Sequence, residues 1–237
     1  MPITDVQHLT VRLKQEPIFP VLVALRKKFP AAKAYLVGGA VRDLLLDRAT
    51  TDFDFVVRKV KPEALKKFLA SQGSVSLVGK TFGVFKFLPK GAKDFLPYDI
   101  ALPRTEHSLN FTGGRRDFNV QSDPDLPMEE DVKRRDFTIN AMAIDVFAGT
   151  LIDPTDGIAD LAEERIRAVG DIGLRFLEDY TRVLRAIRFA CELGFEIEPM
   201  TWRQLKIAMP ELAGPTVPRE LVAKEFVKAF VANPTKA

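Results

Sequence analysis

Histidine and cysteine are nearly absent from this chain of 237 residues: two histidines, His8 and His107, and one cysteine, Cys191. A single cysteine excludes an internal disulfide framework, and no Cys/His spacing of a zinc site exists. So few histidines argue against a His-based metal centre and against a Ser-His-Asp hydrolase. Low cysteine usage fits a reducing, cytoplasmic setting. The start, MPITDVQHLTVRLKQ, has no apolar segment behind a basic one, so no secretory signal is expected. No run of about eighteen apolar residues exists either, so no membrane partner is expected. An excess of one charge sign is also missing: Lys plus Arg is 35 and Asp plus Glu 32, a net +3, too little to identify a nucleic-acid partner by charge alone. What matters is where the arginines fall.

Hydrophobic residues are plentiful, at 46%, so a sizeable core can form. Residues 10–29 read as an amphipathic helix broken at Pro17 and Pro20. Residues 34–37 (AYLV) read as a buried strand, which Gly38 and Gly39 turn into a short helix at 40–46. Residues 52–57 (DFDFVV) begin in alternation and read as a half-buried strand. Pro62 suits the first turn of a helix running to Gln72, with Leu65, Phe68 and Leu69 on its apolar side. Strands are expected at 84–88 and 98–102, and a hairpin from 141–146 and 151–153. The polar stretch 106–127, with Gly113, Gly114, Pro124 and Pro127, reads as a mobile loop. From Asp160 the pattern is helical to the end. These patterns predict an α+β fold: a small mixed sheet flanked by helices over residues 1–155, then an all-α domain over 156–237.

Asp52 and Asp54 stand two apart on a predicted strand, so both carboxylates face the same side. Two such groups repel each other and tolerate burial badly unless a cation lies between them. Oxygen donors of this kind suit Mg²⁺, which takes one or two carboxylates plus substrate phosphates. Asp99, on another predicted strand, is a candidate third catalytic carboxylate. By itself Asp-x-Asp is a common surface pattern. Shortly upstream, however, stands Gly38-Gly39-Ala40-Val41-Arg42-Asp43. A Gly-Gly turn between strand and helix lets backbone approach a ligand closely, the helix start offers N–H groups to phosphate, and Arg42 can reach the same anion bidentately. Together these residues outline a phosphate cradle beside a metal site. Gly79-Lys80-Thr81 does not outline a second one: the preceding Gly73 is one residue too far away for a P-loop, and the following Phe-Gly-Val-Phe reads as a strand. Asn110 and His107 read as solvated loop residues, and Trp202 and Cys191 as core.

The stretch YLVGGAVRDLLLDRATTDFDFVV resembles the first motif of the bacterial-type (class II) tRNA nucleotidyltransferase and poly(A) polymerase family. The resemblance continues in RRDFTINAMA (134–143), IDPTDGIADL and RFLEDYTRVLRAIRFACELGFEI, in the family's order and spacing, from about residue 34 to about residue 200. It implies a nucleotidyltransferase (polymerase-β-like) head and a helical neck, and template-independent addition of CMP or AMP from CTP or ATP to the 3′ end of tRNA. It implies that Asp52 and Asp54 bind Mg²⁺, that Gly39 and Arg42 contact the triphosphate with Arg135, and that Asp179 and Arg182 read the base edge. Arg185 and Arg188 complete that nucleotide site, and Asp153 and Gly157 match a hinge. Asp99, in YDIALPR, matches a position where the family carries an acid. Tyr180-Thr181 stands where relatives often have Pro-Leu, so a small change at the helix start is expected.

Physically, residues 178–193 read as one helix that Gly194 stops. Val183, Leu184, Ile187, Ala190 and Cys191 share one side, and Asp179, Arg182, Arg185 and Arg188 recur every three residues on the other. Spacing of three lets Asp179 pair with Arg182 and fix its donors. Cytosine and adenine each set a donor amino group beside an acceptor nitrogen, which an Asp–Arg pair complements; guanine and uracil present the reverse. Arg185 and Arg188 are then expected to face the phosphates.

The motif set serves CCA addition, CC-only or A-only addition and polyadenylation alike, and a nucleotide- or RNA-binding fragment without turnover stays open beside them. Small-molecule adenylyltransferases share the broader superfamily, but the RRDFTINA block and the arginine stripe speak against them. The resemblance also implies further helical body and tail domains, so the chain is expected to be a head-and-neck fragment or a naturally short form. Missing domains or a partner chain would then supply the grip on RNA.

Overall fold

The structure is a computed structural model that describes residues 11–78, 83–108 and 118–235. The chain divides into two compact units. The first holds residues up to Thr105 together with Val120–Val132 and Asn140–Pro154; the second holds Glu106–Asn119, Lys133–Ile139 and Thr155–Ala237. The last crossing between them falls between Pro154 and Thr155, inside the Asp153 to Gly157 segment that the resemblance reads as a hinge.

The strands are β1 (Lys33–Val37), β2 (Asp54–Arg58), β3 (Gly73–Val78), β4 (Val84–Pro89), β5 (Tyr98–Ala101), β6 (Arg104–Ser108), β7 (Phe118–Ser122), β8 (Ala143–Asp145), β9 (Leu151–Ile152), β10 (Arg165–Ile166) and β11 (Glu196–Ile197). Seven of them form the sheet of the first unit, in the order β3-β4-β5-β2-β1-β8-β9. Every neighbouring pair is antiparallel except β2 and β5, which run parallel, so the sheet is mixed as expected. Central β2 buries Phe55, Val56 and Val57, and β1 buries Ala34 through Val37. Runs of consecutive buried residues mark strands covered on both faces.

In this unit's first half, residues 11–14 are helical, and α1 (Phe19–Lys28), α2 (Gly39–Leu45) and α3 (Pro62–Gln72) follow. Pro20 does not break α1; it sits in the first turn, where its missing N–H costs nothing. Helix α3 buries Leu65, Phe68 and Leu69 as its spacing predicts, and Phe68 meets Phe29 edge to face at 6.2 Å.

Three elements depart from the sequence reading. Strand β3 follows α3 directly; the alternation Ser-Val-Ser-Leu at its centre is a strand signal that the expected elements left out. Strands β6 and β7 pair with each other, so part of the expected loop at 106–127 is ordered ladder. The rest of that stretch leads past Pro127 into α4 (Met128–Lys133). Asn110, Gly113 and Gly114 lie outside the described residues, as does the triplet Gly79, Lys80 and Thr81; β4 starts just after that triplet, where a P-loop would need a helix.

The second unit carries α5 (Gly157–Ala162), α6 (Ile172–Glu178), α7 (Thr181–Leu193), α8 (Pro199–Ala208) and α9 (Arg219–Ala232). It is helical but not purely so: β10 and β11 pair in parallel, two residues each, too short for periodicity to reveal. Phe137 sits fully buried and meets Phe189 of α7 edge to face at 5.8 Å. Asp160 is also fully buried, held by the Thr138 hydroxyl at 2.5 Å and Arg167 Nε at 2.8 Å. Gly194 ends α7 in the left-handed region, φ 79°, as a helix-stop glycine should. Among the described residues no helix is long and apolar enough to cross a membrane.

Candidate active site

Strand register assembles the acidic part of the site. Asp54, the first residue of β2, is the Cα partner of Asp99 on parallel β5 and of Val37 on antiparallel β1. Asp99 in turn partners Lys86 on β4. Residues in register point to the same side, so Lys86, Asp99 and Asp54 form one polar row across three strands. Phe53, Phe55, Phe85, Phe87 and Ile100 flank the row as buried neighbours in sequence. Asp52 lies just ahead of the strand and is exposed, while Asp54 is half-buried. The row ends beside Val37, which leads straight into Gly38 and Gly39, so the Gly-Gly turn and the carboxylates share the edge of the sheet formed by the ends of its central strands.

Gly38 needs to be glycine: it takes φ 72° and ψ −138°, a conformation closed to other residues at low cost. Its N–H donates to the Met142 carbonyl at 3.3 Å, and its own carbonyl starts α2 by accepting from Val41 and Arg42. A Cβ on Gly39 would stand 3.5 Å from Nη2 of Arg42, in ordinary contact. The Arg42 side chain is buried, with Nε donating to Asp43 Oδ1 at 2.9 Å and Nη1 to Asn140 Oδ1 at 2.8 Å. Asn140 closes the RRDFTIN run, and its partnership with Arg42 across 98 residues is a link the motif spacing does not announce.

Lys86 also escaped the sequence reading. Its Nζ stands 2.7 Å from Asp99 Oδ1. The hydrogen bond that Lys86 donates to Asp99 raises its pKa against a loss of hydration, and the charges of Asp99, Asp52 and Asp54 raise it further. A lone lysine in the apolar strand sequence VFKFLP was the available signal. Among the described residues, no three of His, Cys, Asp and Glu converge closely enough to hold a metal ion.

The arginine face lies in the second unit and differs from expectation at its start. The run 178–193 is not one helix. Helix α6 ends at Glu178, Asp179 is extended at φ −153°, and α7 begins at Thr181. Asp179 is buried there and accepts from the Thr181 N–H at 2.9 Å and the Thr181 hydroxyl at 2.5 Å. The acid that fixes Arg182 is Glu178, whose Oε2 accepts from Nη1 at 2.6 Å; the same Nη1 reaches the Arg175 carbonyl at 2.8 Å. The physical reason is the break at Asp179. Its carbonyl still accepts from the Arg182 N–H at 3.0 Å, but its carboxylate is taken up by Thr181, whereas Glu178 falls at the i, i+4 distance from Arg182.

Arg185 and Arg188 are likewise engaged. Arg185 clasps Asp136 with Nε at 2.7 Å and Nη2 at 2.5 Å. Burial pushes the Asp136 carboxyl up, but Arg185 overrides it and the net pKa is lowered. Asp136 correspondingly raises Arg185. Arg188 donates Nε to Glu225 of α9 at 2.6 Å and Nη1 to both oxygens of Glu192 at 2.8 Å, with its guanidinium carbon 4.2 Å from the centre of the Phe189 ring. Arg135 is half-buried at the start of the same buried run.

The mixed sheet with its β1–Gly-Gly–α2 turn and flanking helices has the architecture of the nucleotidyltransferase head of CCA-adding enzymes. The sequence profile described as the poly A polymerase head domain matches residues 34–167, and the chain belongs to that family. A "Multifunctional CCA protein" of Stenotrophomonas maltophilia is 42% identical over 205 residues, covering 85% of this chain and 46% of the relative. The structure of the Bacillus stearothermophilus CCA-adding enzyme in complex with CTP superposes with a TM-score of 0.73 at 34% identity, over 91% of this chain and 49% of that one. A Thermotoga maritima CCA-adding enzyme complexed with tRNA_CCA gives 0.72 at 32%, over 98% and 52%. The chain thus spans about half the length of the relatives it matches.

Proposed function

We propose that this chain is the nucleotide-transferring part of a tRNA nucleotidyltransferase. In the proposed reaction, residues 1–155 act as the head and 156–237 as the neck. An RNA 3′-hydroxyl attacks the α-phosphorus of CTP or ATP, a new P–O bond forms as the α–β bridging P–O bond breaks, and pyrophosphate leaves while the hydroxyl proton passes to solvent. The observation that carries this reading is the strand register that sets Asp54 and Asp99 in one row beside the Gly38-Gly39 turn.

The donor set fits a hard divalent cation. It consists of carboxylate oxygens, with Asp52 exposed and Asp54 half-buried, and Cys191 is buried on α7 in the other unit. Asp52 and Asp54 would hold Mg²⁺, which when bound lowers the pKa of the attacking hydroxyl and neutralises the leaving pyrophosphate. The remaining catalysis is positioning and electrostatics. Gly38 and Gly39 let the backbone come close to the triphosphate, and Arg42, fixed by Asp43 and Asn140, presents an oriented guanidinium toward it. Arg135 adds a second cation for the phosphates. Asp179 and Arg182 read the base, Arg182 with its donors fixed by Glu178; Arg185 and Arg188 frame that reading surface. CTP and tRNA as substrates draw on the relatives, whose structures carry those ligands. A reducing cytoplasmic setting suits the lone buried cysteine.

The test is incorporation of labelled CMP and AMP, with Mg²⁺, into tRNA that ends before its terminal CCA. Addition of C, C and A in order is the expected result. Runs of A alone would instead assign a poly(A) polymerase, the activity in the family's own description. Tight CTP binding with no incorporation would sink the catalytic reading and leave a nucleotide-binding module.

A further inference from the structure

Lys86 is the sole charged residue of β4, and register places it next to Asp99 in the row that ends at Asp54. Its ion pair with Asp99 is short, 2.7 Å, yet the two side chains remain 45% and 31% exposed. A pair so well solvated adds little to stability, so its position calls for another explanation. The row contains two carboxylates, with Asp52 a third just ahead of it, and Lys86 is the cation paired within it. Despite the shared register, no three acidic groups among the described residues converge on a common point. Asp99 is turned toward the lysine on its other side.

From this geometry, and resting on the metal assignment to Asp52 and Asp54 above, we propose that Lys86 is a positioning residue that holds the Asp99 carboxylate out of the divalent-cation site. Two physical effects follow. Lys86 places a like charge near the incoming cation, and it occupies the one carboxylate that would otherwise complete a three-oxygen set. Both weaken cation binding in the absence of nucleotide. The site would then fill chiefly when a triphosphate supplies further oxygens, which couples cation entry to substrate. The field that Asp52 and Asp54 exert on the Lys86 ammonium agrees with their being neighbours of the same cluster.

The experiment is Mn²⁺ binding, followed by the electron paramagnetic resonance signal of free Mn²⁺, to the chain without nucleotide or RNA. Lys86→Met is expected to bind Mn²⁺ about tenfold more tightly than the unmodified chain, or 1.36 kcal/mol. Lys86→Arg, which keeps the charge and the pair, is expected to stay within twofold. Adding Asp99→Asn to Lys86→Met should cancel the gain. Circular dichroism checks that each variant folds; Lys86 is exposed and Asp54 and Asp99 are only half-buried. Asp54→Asn separates this inference from the reading beneath it. If that variant binds Mn²⁺ as well as the unmodified chain, the metal assignment falls and this inference with it. If Asp54→Asn loses the site while Lys86→Met binds within twofold of the unmodified chain, or more weakly, the role of Lys86 alone is overturned. A gain that survives Asp99→Asn overturns it too, because the lysine would then not act through Asp99.

Discussion

The acidic edge of the sheet and the arginine face of α7 are both charged, but they are built in opposite ways. At the sheet edge Asp52 is exposed, Asp54 is half-buried, and the ion pair beside them is partly solvated. On α7, Arg182 and Arg188 are buried, and Arg182, Arg185 and Arg188 each already hold a carboxylate: Glu178, Asp136, and both Glu192 and Glu225. The first region owes its geometry to backbone register and keeps its carboxylates within reach of solvent. The second owes its geometry to side-chain pairs that fix guanidinium orientation before any ligand arrives, so less freedom is lost on binding. Substitutions in the first should therefore cost chemistry and spare the fold, and those in the second should cost stability, selectivity or both.

The sharpest break of that comparison is at Asp54. Asp54→Asn, and Asp52→Asn likewise, should lower single-turnover incorporation by about a thousandfold or more. Melting temperature should move little, because Asp52 is exposed and Asp54 only half-buried. A variant that melts early would show that the sheet edge is structural after all. Next comes Arg185→Ala, which strands the buried Asp136 carboxylate. Breaking a buried pair costs about 3–5 kcal/mol, and the partial exposure of Arg185 lowers the expectation to about 2 kcal/mol in urea unfolding. Unchanged stability would show that the pair is dispensable to the fold.

Legibility in the sequence follows the same division. Elements with strong local signals were readable: the buried run of β1, the Pro-led α3 with Leu65, Phe68 and Leu69, and the Gly194 stop. Asp52, Asp54 and the Gly-Gly turn were readable because one short segment holds them all. What was not readable depends on partners far apart in sequence. Arg42 finds Asn140, Arg185 finds Asp136 and Lys86 finds Asp99 through the fold, at separations no periodicity encodes. The break at Asp179 was hidden for another reason. Its carboxylate satisfies Thr181 in a local turn, and such side-chain-to-backbone bonds compete with helix at short polar residues. Reading 178–193 as one helix therefore assigned Arg182 the wrong acid.

That correction gives the third test. Arg182→Ala should blunt the preference for CTP and ATP over UTP and GTP by about tenfold, the loss of one oriented base contact. Glu178→Gln, which keeps the size but not the charge, should blunt it less, since the Arg175 carbonyl still holds Nη1. Equal preference in all three proteins would remove Arg182 from base reading.

The smallest effect lies in the acid range and comes from Asp136. Its folded pKa is lowered, because Arg185 outweighs the burial that pushes it up. A carboxyl lowered in the folded state contributes stability above its unfolded value of about 4 and loses it as pH falls through the lower folded value. Urea midpoints measured from pH 7 down to pH 3 should therefore fall for the unmodified chain. For Asp136→Asn they should start lower and fall less steeply, because this proton no longer links to folding. Parallel curves for the two proteins would mean that the acid sensitivity resides in other carboxylates, and the arginine face would lose the electrostatic distinction that separates it from the sheet edge.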